Sequence, residues 1–245
     1  MDDTSNRHAV ILAGGRGTRL RPYTVTLPKP LVPVGDMPIL EIILTQLVAA
    51  GFRSATIAVN HQAELIRAFF GDGAKWGIKL SYSLERQPLG TMGPLKIMRE
   101  LPEHFLVMNG DVLTDLKFDS FFSAHLASNA IYTISGYARI QPIDFGVLHL
   151  GTEGSLTGFE EKPRIAYNVS MGIYAVSRAV LPWIPDDAAF GFDQLMHVLL
   201  DAQRDVKVRI HDGFWMDIGR PDDYQAVCEQ WPELSKRLLP AVHGN

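Results

Sequence analysis

Apolar positions along the chain fall into two periods. His8–Leu12 is a short apolar run that ends in glycines, the pattern of a buried strand. Over Pro38–Ala50 the spacing changes. Ile39, Leu40, Ile43, Leu47 and Ala50 recur at helical intervals and mark one apolar stripe. Pro38 suits a first helical turn, and Gly51 is placed to close the helix. Ser54–Val59 then reads as a strand, Ala63–Phe70 as a helix stopped by Gly71, and Lys79–Leu84 as a further strand. Pro94–Leu101 has a helical pattern, and His104–Met108 is a strand running into Asn109-Gly110-Asp111.

Strand and helix alternating in this way predict an α/β fold with a mostly parallel sheet covered by helices on both faces. Ligands of such sheets bind outside the carboxyl ends of the strands. The loops after Leu12 and after Met108 are therefore where chemistry is expected. From Ile131 onward the pattern turns β-rich, with runs at Ile131–Ala138, Gly146–Leu150, Leu156–Glu160 and Val169–Val176. Phe192–Ala202 reads as an amphipathic helix with Leu195, Val198, Leu199 and Ala202 on one face, and Pro221 opens a final helix towards Cys228. We expect one domain over residues 1–245, with a front half to about residue 130 and a back half from about residue 131.

Composition narrows the function classes. A chain of 245 residues that is 47% hydrophobic can bury a full core. Lys and Arg number 23 against 27 Asp and Glu, for a net charge of -4. That leaves no basic excess to neutralise a nucleic-acid backbone, so nucleic acid is not expected as a partner. Val10–Ala13 is too short an apolar run for a signal peptide or a membrane span, and Met1–His8 is polar. No membrane association and a cytoplasmic location are expected. The single cysteine, Cys228, excludes an internal disulfide and fits a reducing compartment.

The first chemical motif is Leu12-Ala13-Gly14-Gly15-Arg16-Gly17-Thr18-Arg19-Leu20. Glycines directly after a strand let backbone N–H groups approach a polyphosphate without Cβ interference. Arg19 adds a planar donor fork for phosphate oxygens. No Gly-Lys-Ser/Thr closes the loop, so it is not a Walker A motif, and Leu20 stands where a dinucleotide fingerprint needs glycine. The bland alternative is a tight strand-to-loop turn. In Pro28-Lys29-Pro30 the flanking prolines stiffen the backbone around a lysine, which suits delivery of a point charge to a triphosphate, or simply a rigid surface loop. Asp111 ends an apolar strand and can hold Mg²⁺, which takes one or two carboxylates plus phosphate oxygens and water; a turn aspartate is the ordinary alternative. Asp217, in Trp215-Met216-Asp217-Ile218-Gly219, offers a second carboxylate.

Leu12–Leu20 followed by Pro28-Lys29-Pro30 resembles the signature of the sugar-1-phosphate nucleotidyltransferases, the nucleotide-sugar pyrophosphorylases, and the resemblance runs from Ala9 to about Val227. It implies a Rossmann-like three-layer sandwich with a mixed, mostly parallel central sheet. The front half then binds nucleotide and the back half binds sugar, and no C-terminal β-helix domain is expected. By resemblance, Leu12, Ala13, Gly14, Gly15, Gly17, Thr18, Asn109 and Gly110 bind nucleotide, and Pro88, Gly90 and Thr91 form the base loop. Asp111 and Asp217 take the metal, Mg²⁺. Arg19, Lys29 and Lys162 are the catalytic cations. Gly146, Glu161, Lys162 and Ser170 hold the sugar phosphate. Phe145 stands where many relatives have Tyr, and Ser170-Met171-Gly172 where many have Asn, a smaller residue and Gly; this leaves the sugar open.

The pattern is most similar to the short bacterial mannose- and heptose-1-phosphate guanylyltransferase branch. GTP is the expected nucleotide and a mannose-, heptose- or glucose-type sugar 1-phosphate the expected partner. Thymidylyl, uridylyl or cytidylyl transfer to glucose 1-phosphate or a phosphorylated amino alcohol remains the alternative. A silent nucleotide-sugar-binding paralogue usually loses the lysine or an aspartate, and this chain keeps Arg19, Lys29, Asp111, Lys162 and Asp217. The chain is expected to act as a monomer or a homo-oligomer such as a dimer. The eight histidines show no metal-ligand spacing, so His61, His104 and His197 are expected to pack or face solvent; Cys228 is expected to be inert, and Trp183, Trp215 and Trp231 to be core or interface residues.

Overall fold

The computed structural model describes residues 7–60 and 62–240. The polar start, residues 1–6, and His61 lie outside the described residues. β1 (His8–Leu12) is followed by a short ribbon of β2 (Pro33–Val34) and β3 (Met37–Pro38), then α1 (Ile39–Ala49). Next come β4 (Ser54–Val59), α2 (Ala63–Phe70), β5 (Lys79–Leu84), α3 (Pro94–Ile97), β6 (His104–Asn109), β7 (Val112–Thr114) and α4 (Phe118–Ser128). The back half adds β8 (Tyr132–Pro142), β9 (Val147–Leu150), β10 (Leu156–Glu160), β11 (Arg164–Ser177), α5 (Phe192–Asp201), β12 (Val206–His211), β13 (Trp215–Asp217) and α6 (Pro221–Leu238).

Seven strands form one sheet in the order β12-β8-β11-β6-β1-β4-β5. All neighbours pair in parallel except around β11, which runs against both β6 and β8. The sheet is thus mixed and mostly parallel, and it crosses the boundary between the two halves. Alternate residues of β1 point to opposite faces. Ala9 and Ile11 enter a core with α1, α2, α4 and α6, whereas Val10 enters a second core with Leu95 of α3 and with Leu195 and Leu199 of α5. Helices therefore cover both faces, and the fold is the three-layer α/β sandwich. Each Val, Leu or Ile side chain among them taken from water stabilises the fold by roughly 1.5–3 kcal/mol.

Several boundaries differ from expectation, each for a local reason. Pro38 is the N-cap of α1, not a residue of its first turn, because β3 holds it extended at ψ 145. Gly51 does close the helix, at φ +85, donating its N–H to Val48 O at 3.0 Å. The helix expected over Pro94–Leu101 stops at Ile97, where Met98 turns extended at ψ 117. Pro102 disfavours helix at Leu101, and the extended path still buries Met98 and Leu101 in the second core. β8 and β11 run longer than their apolar runs, because residues beyond the core pair with each other. α4 and β12 have no counterpart among the expected elements. α4 buries Phe118, Phe121, Phe122 and His125, a helical spacing interrupted by a histidine. Among the described residues, no helix is long and apolar enough to cross a membrane.

Candidate active site

β1 is where the strand order reverses: the chain passes to β4 and β5 on one side, then crosses to β6 on the other. Crevices form at such switch points. Here the loops after β1 and β6 touch, with Gly110 N donating to Leu12 O at 2.9 Å. A Cβ on Gly110 would lie 3.0 Å from that oxygen. Ala13 N is held by Ala58 O at 2.9 Å. Gly15 has nothing within 4 Å of its missing Cβ, so its backbone faces open space. Gly17 adopts φ +60, its carbonyl accepts from Thr24 Oγ1 at 2.7 Å, and it opens the turn Thr18–Leu20. That turn buries Leu20 and leaves Thr18 and Arg19 exposed at the rim.

A cavity of about 330 Å³ lies over this loop, walled by Leu12, Gly14, Gly15 and Asn109 on one side and Pro88, Gly90 and Thr91 on the other. Asp111 reaches its floor. Gly90 has φ +75, and a Cβ there would meet Phe190 O at 2.7 Å. Thr91 Oγ1 accepts from Phe192 N at 2.8 Å, which pins the loop to the start of α5.

The two aspartates converge. β13 pairs antiparallel with β7, setting Asp217 opposite Val112, and Ile218 N donates to Asp111 O at 3.0 Å. Lys29 Nζ forms an ion pair with Asp111 Oδ2 and lies 4.0 Å from Asp217 Oδ1. The lysine comes from the 3₁₀ turn Lys29–Leu31, whose Pro30 and Leu31 are buried as anchors. Asp111 Oδ1 and Asp217 Oδ1 are buried and have no hydrogen-bond partner. Burial and the neighbouring Asp111 carboxylate hold Asp217 above the ordinary carboxylate range, against the pull of Lys29 and Arg19. Among the described residues no cluster of three or more His, Cys, Asp or Glu could hold a metal. Two carboxylates with unpartnered oxygens fit a cation that completes its shell from phosphates and water.

The residues expected at the sugar phosphate form a separate group. β9 and β10 make a two-stranded arm between β8 and β11. A Cβ on Gly146 would lie 2.6 Å from the Phe159 ring and 3.2 Å from Glu161 Oε2, so Gly146 and Glu161 are neighbours. Lys162 adopts φ +45 in the turn that follows and is exposed. Ser170 Oγ donates to Tyr174 Oη at 3.1 Å and accepts from Gly172 N at 3.2 Å. Gly172, at φ +74, abuts the Asn109 side chain, so this stretch of β11 borders the end of β6 and the cavity that Asn109 lines. No ion pair joins Lys162 or Glu161 to the aspartate pair among the described residues.

Three side chains enter the site without having been expected there. Glu85 and Asn60, which follow β5 and β4, line the 330 Å³ cavity. Glu85 is 7% exposed, accepts from Leu89 N at 3.2 Å, and burial raises its pKa. An acidic residue just ahead of Pro88-Leu89-Gly90-Thr91 was the available signal. Trp215, expected as a core or interface residue, donates from Nε1 to Met171 O at 3.0 Å and so braces β13 against β11. Trp231 is buried and Trp183 partly so, His197 faces solvent, and His104 bonds His125 at 3.1 Å. Cys228 is a half-buried free thiol.

A family model described as nucleotidyl transferase matches residues 8–233. The chain is 37% identical to the mannose-1-phosphate guanylyltransferase catalytic subunit beta of Danio rerio over 97% of its own length and 70% of that protein. It is 32% identical to a UTP–glucose-1-phosphate uridylyltransferase of Synechocystis, over 89% of this chain and 62% of that one. Among solved structures, HddC from Yersinia pseudotuberculosis, complexed with GMP-PN, superposes with a TM-score of 0.71 at 26% identity, covering 92% of this chain and 99% of HddC. The chain belongs to the nucleotidyl transferase family.

Proposed function

We propose that the protein transfers a guanylyl group from GTP to a sugar 1-phosphate of the mannose, heptose or glucose type, releasing pyrophosphate, with Mg²⁺ as its cofactor. The observation that carries this reading is the Asp111–Asp217 pair, closed by Lys29, with Asp111 reaching the floor of the glycine-loop cavity. The sugar-phosphate oxygen is the nucleophile; it forms the new bond to the α-phosphorus as the bond to pyrophosphate breaks. It is already anionic at neutral pH, so no general base is needed, and the protein's task is positioning and charge neutralisation. Asp111 and Asp217 would hold Mg²⁺, which supplies positive charge for the α-phosphate. Gly14, Gly15 and Gly17 offer backbone N–H groups to the triphosphate, and Arg19 and Lys29 balance its charge. Lys162 would hold the incoming phosphate, with Glu161 and Gly146 at the sugar.

Glu85 supports the guanine assignment. An ionised carboxylate only accepts hydrogen bonds, and guanine presents adjacent donors, N1–H and the 2-amino group. Uracil and thymine present a single N–H between two carbonyls. The guanylyltransferase names of several relatives point the same way. The Synechocystis relative favours UTP and glucose 1-phosphate as the second reading. A matrix of nucleotides against sugar 1-phosphates, read by pyrophosphate release, decides. GTP with a mannose- or heptose-type partner should lead, and ITP, which lacks the 2-amino group, should fall behind GTP. UTP or dTTP outrunning GTP would transfer the assignment to the second reading.

A further inference from the structure

Asp115 lies outside the cleft, one residue past β7, yet three donors from two segments, the end of β12 with the turn after it and the end of α6, converge on its carboxylate. Oδ1 accepts from His211 Nε2 at 2.8 Å and from Phe214 N at 2.7 Å, and Oδ2 accepts from Arg237 Nε at 2.5 Å. Burial alone would raise its pKa, but these hydrogen bonds outweigh burial and hold it below the ordinary range. The turn from His211 to Phe214 is shaped around the carboxylate: a Cβ on Gly213 would lie 2.3 Å from Asp115 Oδ1 and 2.6 Å from the His211 ring. The backbone joins in, with Asp115 N donating to Phe214 O at 3.2 Å and Thr114 Oγ1 to the same oxygen at 2.7 Å.

What this hub controls follows from the ribbon it closes. β7 and β13 pair over three residues only, Trp215 with Thr114, Met216 with Leu113 and Asp217 with Val112. So short a ladder has little stability of its own. A slip by one residue would turn Asp217 to the other face. Asp115 closes the ribbon about 13 Å from the level of Asp111, counting four residues at the strand rise.

We propose that Asp115 is a positioning residue: by gripping Phe214 it fixes the register of β13 on β7, and so sets the Asp217 carboxylate opposite Asp111 for a divalent cation. This rests on the reading of Asp111 and Asp217 as cation ligands, and the test separates the two. Mn²⁺ alone is the probe, added to the full chain without nucleotide and followed by water-proton relaxation. Asp217→Asn should abolish the binding seen in the native protein. Asp115→Ala should weaken it by roughly tenfold or more, the usual range for residues that orient metal ligands. Asp115→Asn, which keeps an oxygen for Phe214 N–H, should weaken it less. Arg237→Met should produce a shift of about twofold or threefold, a fraction of the same range. Leu199→Ala opens a cavity in the opposite core and lowers Tm without touching the ribbon; it should leave Mn²⁺ affinity unchanged. Asp115→Ala matching native Mn²⁺ affinity, while Asp217→Asn loses it, would overturn the positioning role alone. Native binding that survives Asp217→Asn would overturn the cation reading and this proposal with it. Should Asp115→Ala fail to fold, unchanged affinity in both Asp115→Asn and Arg237→Met overturns the role.

Discussion

The two ends of the cleft are built to different standards. On the side proposed to bind nucleotide, Lys29, Asp111 and Asp217 are set by paired strands and buried prolines, beside loops in which a Cβ at Gly14, Gly90 or Gly110 would come within 3.0 Å of a neighbour. On the side proposed to bind the sugar phosphate, Glu161 and Lys162 follow β10 of the β9–β10 arm, where Leu148, Leu150, Leu156 and Phe159 are all more than half exposed. The first region has its geometry before any ligand arrives. The second has few packed neighbours to fix it, and segments of that kind open and rearrange at low cost. On the proposed reading, the transfer chemistry rests on the rigid side and the choice of acceptor on the loose one.

Four changes would break or sharpen that contrast. Asp111→Asn should lower turnover by about a hundredfold to a thousandfold, the scale for losing one preorganised charge contact. Its Tm should stay near native, and near-native pyrophosphate release would remove Asp111 from the chemistry. Lys162→Ala should cost roughly a hundredfold in kcat/KM for the sugar phosphate, on the same scale. The exposed position means Tm and the KM for GTP should hold, whereas a raised GTP KM would place Lys162 on the nucleotide side instead.

Acid should loosen the rigid side through two buried histidines. Burial pushes His8 and His125 down to about 4 from 6.5. His8 is held by Ser54 and Thr56, and His125 by Thr133 and His104. The folded value is the lower one, so the unfolded chain takes up protons first as pH falls. Stability is fully present above pH 6.5 and is lost between 6.5 and about 4. Each group contributes up to about 3 kcal/mol. Thermal melts across that window should show the fall, and His125→Gln should flatten it. The smallest effect belongs to the arm: Leu148→Ser, at an exposed position, should shift stability by less than about 0.5 kcal/mol. A larger drop in Tm would show that the arm is packed after all.

Much of the fold was legible because the sheet centre obeys simple periods. β1, β4, α2 and β5 coincide with their expected runs, since burial on one or both faces of a regular element is what those runs encode, whereas β10 keeps its expected bounds as an exposed strand of the arm. α4 escaped notice because His125 occupies a core position where a hydrophobe was expected. β12 escaped because it is an edge strand whose Val208 and Ile210 are exposed. In the site, the glycine loop and Asp111 announce themselves as contiguous motifs. The meeting of Asp111 with Asp217 does not, because it depends on β13 reaching back to β7 across the sequence. Glu85 was hidden for a related reason: only the packing of its loop over Gly14 shows that its carboxylate faces the cavity.

One strand carries a consequence of another kind. Because β11 alone runs backwards, the chain leaves the sheet at Pro142 and re-enters at Arg164 through the same edge that bears the nucleotide loops. Residues 143–163 are therefore an attachment with both of its ends side by side. Such a segment can be lengthened, shortened or exchanged without a change of path anywhere in the front half. On the proposed reading, a single inverted strand gives evolution a separate handle on each substrate, so that acceptor preference can drift while the transfer machinery stays as it is.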